Sequence, residues 1–196
     1  LADADLIHKV ASRIIDRSED GVDIVVVVSA MGDSTDELHA LSRAVTMGKT
    51  PDAREMDTLL STGELVSSTL MAMALKARGH DAVSLSGPQA GIKTDAVHGS
   101  ARIADINTDR LHRELEEGRI VIVAGFQGLA ESGDVTTLGR GASDTTAVAL
   151  AVATEAERCE IFTDVEGIYT TDPRLTDKAR KLAEIGFQEM LEMAVL

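Results

Sequence analysis

The chain has 196 residues, with 33 Asp and Glu against 19 Lys and Arg, and so carries a formal net charge of -14. A 44% hydrophobic content supplies a sizeable core and excludes a disordered chain. The acidity excludes a sequence-independent grip on DNA or RNA, and three Phe, one Tyr and no Trp exclude broad stacking platforms for bases or sugars.

Leu6, Ile7, Val10, Ala11, Ile14 and Ile15 recur at helical spacing over the first 16 residues. The run 22–28 (VDIVVVV) follows and reads as a strand buried on both faces. Further apolar runs at 82–85, 120–124 and 159–163 predict strands, and helical stretches fall at 36–47, 53–78, 108–117, 144–157 and 187–195. Residues 126–140 break the rhythm and predict an inserted hairpin, with 135–138 as one of its strands. Strand and helix alternate without a Pro/Gly/Ser linker, which predicts one α/β domain over 1–196 with a mainly parallel sheet covered on both faces. Cys159 excludes an internal disulfide and, flanked by apolar residues, reads as a small core side chain on a strand. No uninterrupted apolar run reaches the roughly 18 residues that cross a bilayer, so the expectation is a cytoplasmic protein without membrane contact. The five histidines lack metal-site spacing and read as surface or turn residues.

In open α/β sheets ligands gather where strands end, and four loops there carry unusual residues. Residues 29–36 (SAMGDSTD) suit a polar substrate at a helix N-terminus, although Ser34 with Glu37 also makes a capping box. In 60–68 (LSTGELVSS), Ser61, Glu64 and Ser68 share a helix face, and Gly63 costs roughly 1 kcal/mol against Ala unless something approaches closely. Glu64 is then either a solvated surface acid or a carboxylate that faces a pocket and pairs with an ammonium. Residues 137–146 (TLGRGASDTT) match neither a dinucleotide fingerprint nor a Walker A loop. Arg140 between two glycines presents a two-pronged donor to a carboxylate or phosphate, and Ser143 or Asp144 would cap the following helix. Residues 162–174 (FTDVEGIYTTDPR) hold the chain's only Tyr and an Arg, and read as a two-turn surface loop or as a platform for a nucleotide.

In this order the segments VVVVSAMGDSTDEL, LLSTGE, SGPQAGI, IVAGFQG, TTLGRGASDTTA and FTDVEGIYTTDPR resemble the catalytic domain of the aspartate kinases, in the amino acid kinase family. The resemblance spans nearly the whole chain. It implies a three-layer αβα sandwich around a mostly parallel sheet, and ATP-dependent phosphorylation of L-aspartate to 4-phospho-L-aspartate, at the entry to lysine, threonine and methionine synthesis. By the same resemblance Ser29, Thr35, Glu64, Phe126, Arg140, Gly141 and Ser143 match the aspartate site, with Arg140 on the substrate carboxylate. Asp144 matches the acid beside the reaction centre, an organiser rather than a base, and Thr163, Asp164, Tyr169 and Arg174 match the ATP site. Mg²⁺ is expected to arrive on the ATP phosphates rather than in a protein cage. Implied partners are L-aspartate, ATP, and a second copy or a regulatory subunit, with no nucleic acid. Alternatives are a kinase of glutamate or N-acetylglutamate, or a non-catalytic subunit that binds aspartate or nucleotide.

The family opens with a Lys-Phe-Gly-Gly-Thr-Ser type loop and carries a later Gly-Ala-Lys, neither of which occurs here. The expectation is a catalytic domain incomplete at both ends, without a regulatory ACT domain and weakly active or inactive on its own.

Overall fold

The computed structural model describes residues 3–139, 141–163 and 167–195. They divide into two compact units, Leu1–Cys159 and Glu160–Leu196.

The first unit is built on three parallel strands, β1 (Val25–Val28), β5 (Ile120–Ala124) and β2 (Ala82–Leu85), in the order β1-β5-β2. Side chains alternate across a strand, and β5 shows what each face meets. Ile120 and Ile122 join Val26 and Val28 against α1 (Ala4–Glu19) and α3 (Ala53–Lys76), through Ile7, Ala11, Ile14, Met71 and Leu75. Val121 and Val123 point the other way and pack with Val25, Val27, Leu111 of α4 (Asp109–Glu116) and Leu150 of α5 (Ala142–Ala153). Helices on both faces of a parallel sheet make the predicted αβα sandwich.

A second sheet of four strands has the order β4-β3-β6-β7, with β3 (Ile92–Thr94), β4 (Ile103–Ile106), β6 (Gln127–Ala130) and β7 (Val135–Thr137). The predicted hairpin is β6 and β7, paired antiparallel with Gln127 opposite Thr137. The β3–β4 pair has no counterpart in the sequence reading, because three- and four-residue strands offer too little alternation to register. The remaining helices are α2 (Ser34–Val45) and α6 (Phe187–Val195).

Several expectations need correction. β1 covers only the last four residues of the apolar run, and only Val28 of them is fully buried, because among the described residues β1 pairs with β5 alone. Residues 159–163 form no strand and Cys159 is exposed. β propensity describes fit to a pleated surface and cannot supply the neighbouring strand that a ladder needs. Asp33 caps α2 without a side-chain bond, and the Ser34 hydroxyl bonds the Met31 carbonyl instead, so no capping box forms. α5 starts behind Gly141, at φ 72°, which places Ser143 and Asp144 inside the first turn rather than at the cap. Finally, α3 is long and apolar enough to cross a bilayer by length and composition. Scattered Ser and Thr hide this from a search for unbroken apolar runs; the helix is the core helix of the sandwich.

In the second unit Tyr169 bridges to Lys181 in antiparallel fashion, and α6 closes the described chain. None of its described residues is buried.

Candidate active site

Parallel pairing brings the ends of β1 and β5 level, with Val28 beside Ala124 and the Gly125 N–H donating to the Val28 carbonyl at 3.0 Å. Two loops therefore leave the sheet side by side, 29–33 toward α2 and Gly125–Phe126 toward β6. Ser29 is exposed and Thr35 half-buried in the first turn of α2.

Behind the first loop lies α3. Gly63 faces Ala30 so closely that an added Cβ would stand 3.0 Å from the Ala30 Cβ, which accounts for a glycine inside a helix. The next residue, Glu64, is 4% exposed, and its Oε1 accepts the Ala30 N–H at 3.1 Å. Its Oε2 is buried with no hydrogen-bond partner. Burial raises the Glu64 pKa to about 7, against smaller lowering by backbone N–H groups, Ala30 among them. The surface-acid reading of Glu64 is thereby excluded. Its neighbours on the same face, Ser61 and Ser68, are also buried, and their hydroxyls bond carbonyls of their own helix. A buried carboxylate oxygen without a donor is costly, and an ammonium would satisfy it.

The second loop turns sharply at Phe126, a non-glycine residue at φ 68°. Its N–H donates to the buried Thr146 hydroxyl at 3.2 Å, and its carbonyl accepts the Leu138 N–H at 2.9 Å. Phe126 is half-buried. A Cβ on Gly125 would come within 2.9 Å of both the Ser143 hydroxyl and a Val27 methyl, so glycine lets the first turn of α5 approach the sheet end. Gly141 precedes that turn, Ser143 is half-buried in it and Asp144 is exposed. Gly141 caps α5 without a side-chain bond, and helix N-termini as a class suit an anionic ligand. Arg140 lies outside the described residues.

The structure thus gathers Glu64, Phe126, Gly141, Ser143 and the loop that carries Ser29 at one end of the first unit. Thr163, Tyr169 and Arg174 belong to the second unit, and Asp164 lies outside the described residues. Arg174 is exposed and paired with Asp172 at 2.8 Å, and this contact holds the Asp172 carboxyl below its ordinary range. No group of three or more His, Cys, Asp or Glu residues that could hold a metal occurs among the described residues.

The sequence reading overlooked Asp57, 1% exposed on α3, which meets His98 at 2.7 Å. His98 does sit in a turn, as expected, but as a partner of a buried acid. The available signal was Asp57 seven residues before Glu64, which places both on one helix face.

The model of the amino acid kinase family matches residues 1–195. The chain belongs to the amino acid kinase family. Within it, the chain is 58% identical over 190 residues to the aspartokinase of Geobacillus stearothermophilus, which covers 97% of this chain and 46% of that protein. The aspartate kinase of Synechocystis superposes with a TM-score of 0.83 at 46% identity, covering 99% of this chain and 31% of the other. Escherichia coli aspartokinase III in complex with aspartate and ADP superposes with a TM-score of 0.87 at 31% identity, over 100% of this chain and 54% of the other. The chain spans about half the length of the curated relatives it matches. These neighbours share the amino acid kinase fold, which agrees with the sandwich described above.

Proposed function

We propose that this chain forms the amino acid site of an aspartate kinase, which transfers the γ-phosphoryl group of ATP to the side-chain carboxylate of L-aspartate. The observation that carries the reading is the unpartnered, buried Oε2 of Glu64 beside the ends of β1 and β5. There it receives the substrate ammonium. Arg140 clamps a substrate carboxylate, helped by the N-terminus of α5 behind Gly141 and by Ser143, while Phe126, Ser29 and Thr35 line the site. Thr163, Asp164, Tyr169 and Arg174 serve the nucleotide. The likeness to an aspartokinase solved with aspartate and ADP supports this division of labour.

The chemistry asks little of proton transfer. A carboxylate with a reference pKa of about 3.9 is already ionised at pH 7. One carboxylate oxygen forms a bond to the γ-phosphorus as the bond to the bridging oxygen of ADP breaks, and no proton changes hands. The barrier is repulsion between two anions, so the protein's contribution is in-line placement and screening of charge. Asp144 acts as an organiser of cationic groups and not as a base. Mg²⁺ travels with the ATP phosphates. The reaction belongs in the cytoplasm at the entry to the aspartate-derived amino acids, in an oligomer or with a regulatory subunit.

An acetylated amine carries no charge for Glu64, which sets this reading apart from an N-acetylamino acid kinase. Calorimetry with L-aspartate, N-acetyl-L-aspartate and succinate tests it, alongside ATP-dependent aspartyl-hydroxamate formation. Aspartate binds at least about tenfold more tightly than either analogue, and Glu64→Gln removes the difference. Equal binding of the acetylated compound would overturn the assignment.

A further inference from the structure

Asp57 lies on α3 seven residues before Glu64, so the two carboxylates share a helix face about 10 Å apart along the axis. Unlike Glu64, Asp57 is fully supplied with donors. Both of its oxygens accept the Gly99 N–H at 3.1 Å, Oδ1 also accepts the Thr137 hydroxyl, and Oδ2 meets His98 Nδ1 at 2.7 Å. A carboxylate so occupied has no capacity left for a ligand. It ties three separate parts of the chain together: helix α3, the turn at 98–99, and the last residue of β7.

That last residue matters because Leu138 and Gly139 follow it into the loop that opens α5. The Thr137 carbonyl accepts the Ala101 N–H at 2.9 Å, so the 98–101 turn is bound to Asp57 and to β7 alike. One helical turn beyond Asp57, the Ser61 carbonyl accepts the Gln127 side-chain amide at 2.9 Å. Gln127 pairs with Thr137 in the hairpin ladder and directly follows Phe126. Helix α3 is therefore fastened at two points to the paired start of β6 and end of β7. The helix carries Glu64, and the hairpin ends carry Phe126 and Gly139.

We propose that Asp57 is a positioning residue that fixes the span between Glu64 and the described residues on either side of Arg140, 138–139 and 141–143, and through it the affinity for an amino acid. This rests on the reading of Glu64 as the ammonium site. An aspartate must meet both ends of that span at once, so a shift at either end weakens binding without touching a binding group. A merely structural anchor would lower stability and loosen the whole unit evenly.

Asp57→Asn keeps the shape but puts an amide nitrogen where a donor must be received. The expected result is a rise of about tenfold in the dissociation constant for L-aspartate by calorimetry, with the dissociation constant for ADP unchanged. Amide hydrogen exchange over 138–146 accelerates, while exchange over β1 and β5 stays as in the unsubstituted chain. Thr137→Val removes one contact only and shifts both readouts in the same direction by less, and it decides the case if Asp57→Asn does not fold. Exchange over 138–146 that is unchanged, or that rises evenly with the rest of the unit, overturns the proposal. The exchange measurement needs no substrate, so failure of the unsubstituted chain to bind aspartate would sink the aspartate reading and leave the positioning role decided by exchange.

Discussion

At Glu64, burial penalises the charged carboxylate and moves its pKa from 4.5 to about 7. The folded chain therefore holds a proton between these values that the unfolded chain has released, and stability falls as pH rises through that window. An arriving ammonium reverses the preference, because an opposite charge at hydrogen-bond distance favours the carboxylate. Thermal melts of Glu64→Gln and the unsubstituted chain without ligand should converge near pH 5, with the Gln variant melting higher at pH 8. Aspartate affinity of the unsubstituted chain should climb from pH 5.5 to 7.5, with proton release on binding detectable by calorimetry in buffers of different ionisation enthalpy. The Glu-Ser-Gly setting was legible in the sequence, but the choice between a surface acid and a buried one was not. Burial depends on what lies against the helix, and here that is the loop at Ala30, 34 residues away.

The elements repeat this pattern. Helix α3 was predicted to within two residues, and the structure shows it capped by Asp52, whose carboxylate accepts the Glu55 N–H at 3.1 Å. Its function, however, lies in how it meets β1 and β7. Gly63→Ala makes the point testable. Helix propensity alone would stabilise α3 by about 1 kcal/mol, yet the new methyl crowds Ala30 and displaces the N–H that holds Glu64. The expected outcome is a melting temperature changed little, with aspartate affinity reduced several-fold by calorimetry. A variant that gains stability and keeps its affinity would show that the close approach at Ala30 is irrelevant to the site. The failed strand at 159–163 was a local reading of a segment whose pairing is set elsewhere, whereas the capping box at Ser34 fails locally, because the Met31 carbonyl takes its hydroxyl.

At the scale of the molecule, the two units differ in kind. The first encloses the layered core around β5, where all five residues are buried. Among the described residues of the second none is buried, and it carries Arg174, Lys178, Arg180 and Lys181. Local opening costs least where few apolar groups are covered. Limited trypsin digestion should therefore cut at Arg174, Lys178, Arg180 and Lys181 well before Lys93 or Arg119, followed by mass spectrometry of the products. Early cleavage within the first unit would contradict this order.

The sequence by itself determined the alternation of elements, the hairpin at 126–140 and the family resemblance, because each is written in neighbouring residues. Periodicity, glycine and turn chemistry act over a few positions and survive without a partner. Only the tertiary structure decided that β1 pairs with β5 alone among the described residues, that Glu64 is buried with one oxygen unmet, and that Asp57 binds α3 to the end of β7. Those facts depend on contacts between residues as far as 80 positions apart. The energy of burial and of an unsatisfied or a filled carboxylate is set by such contacts, and no local pattern records them.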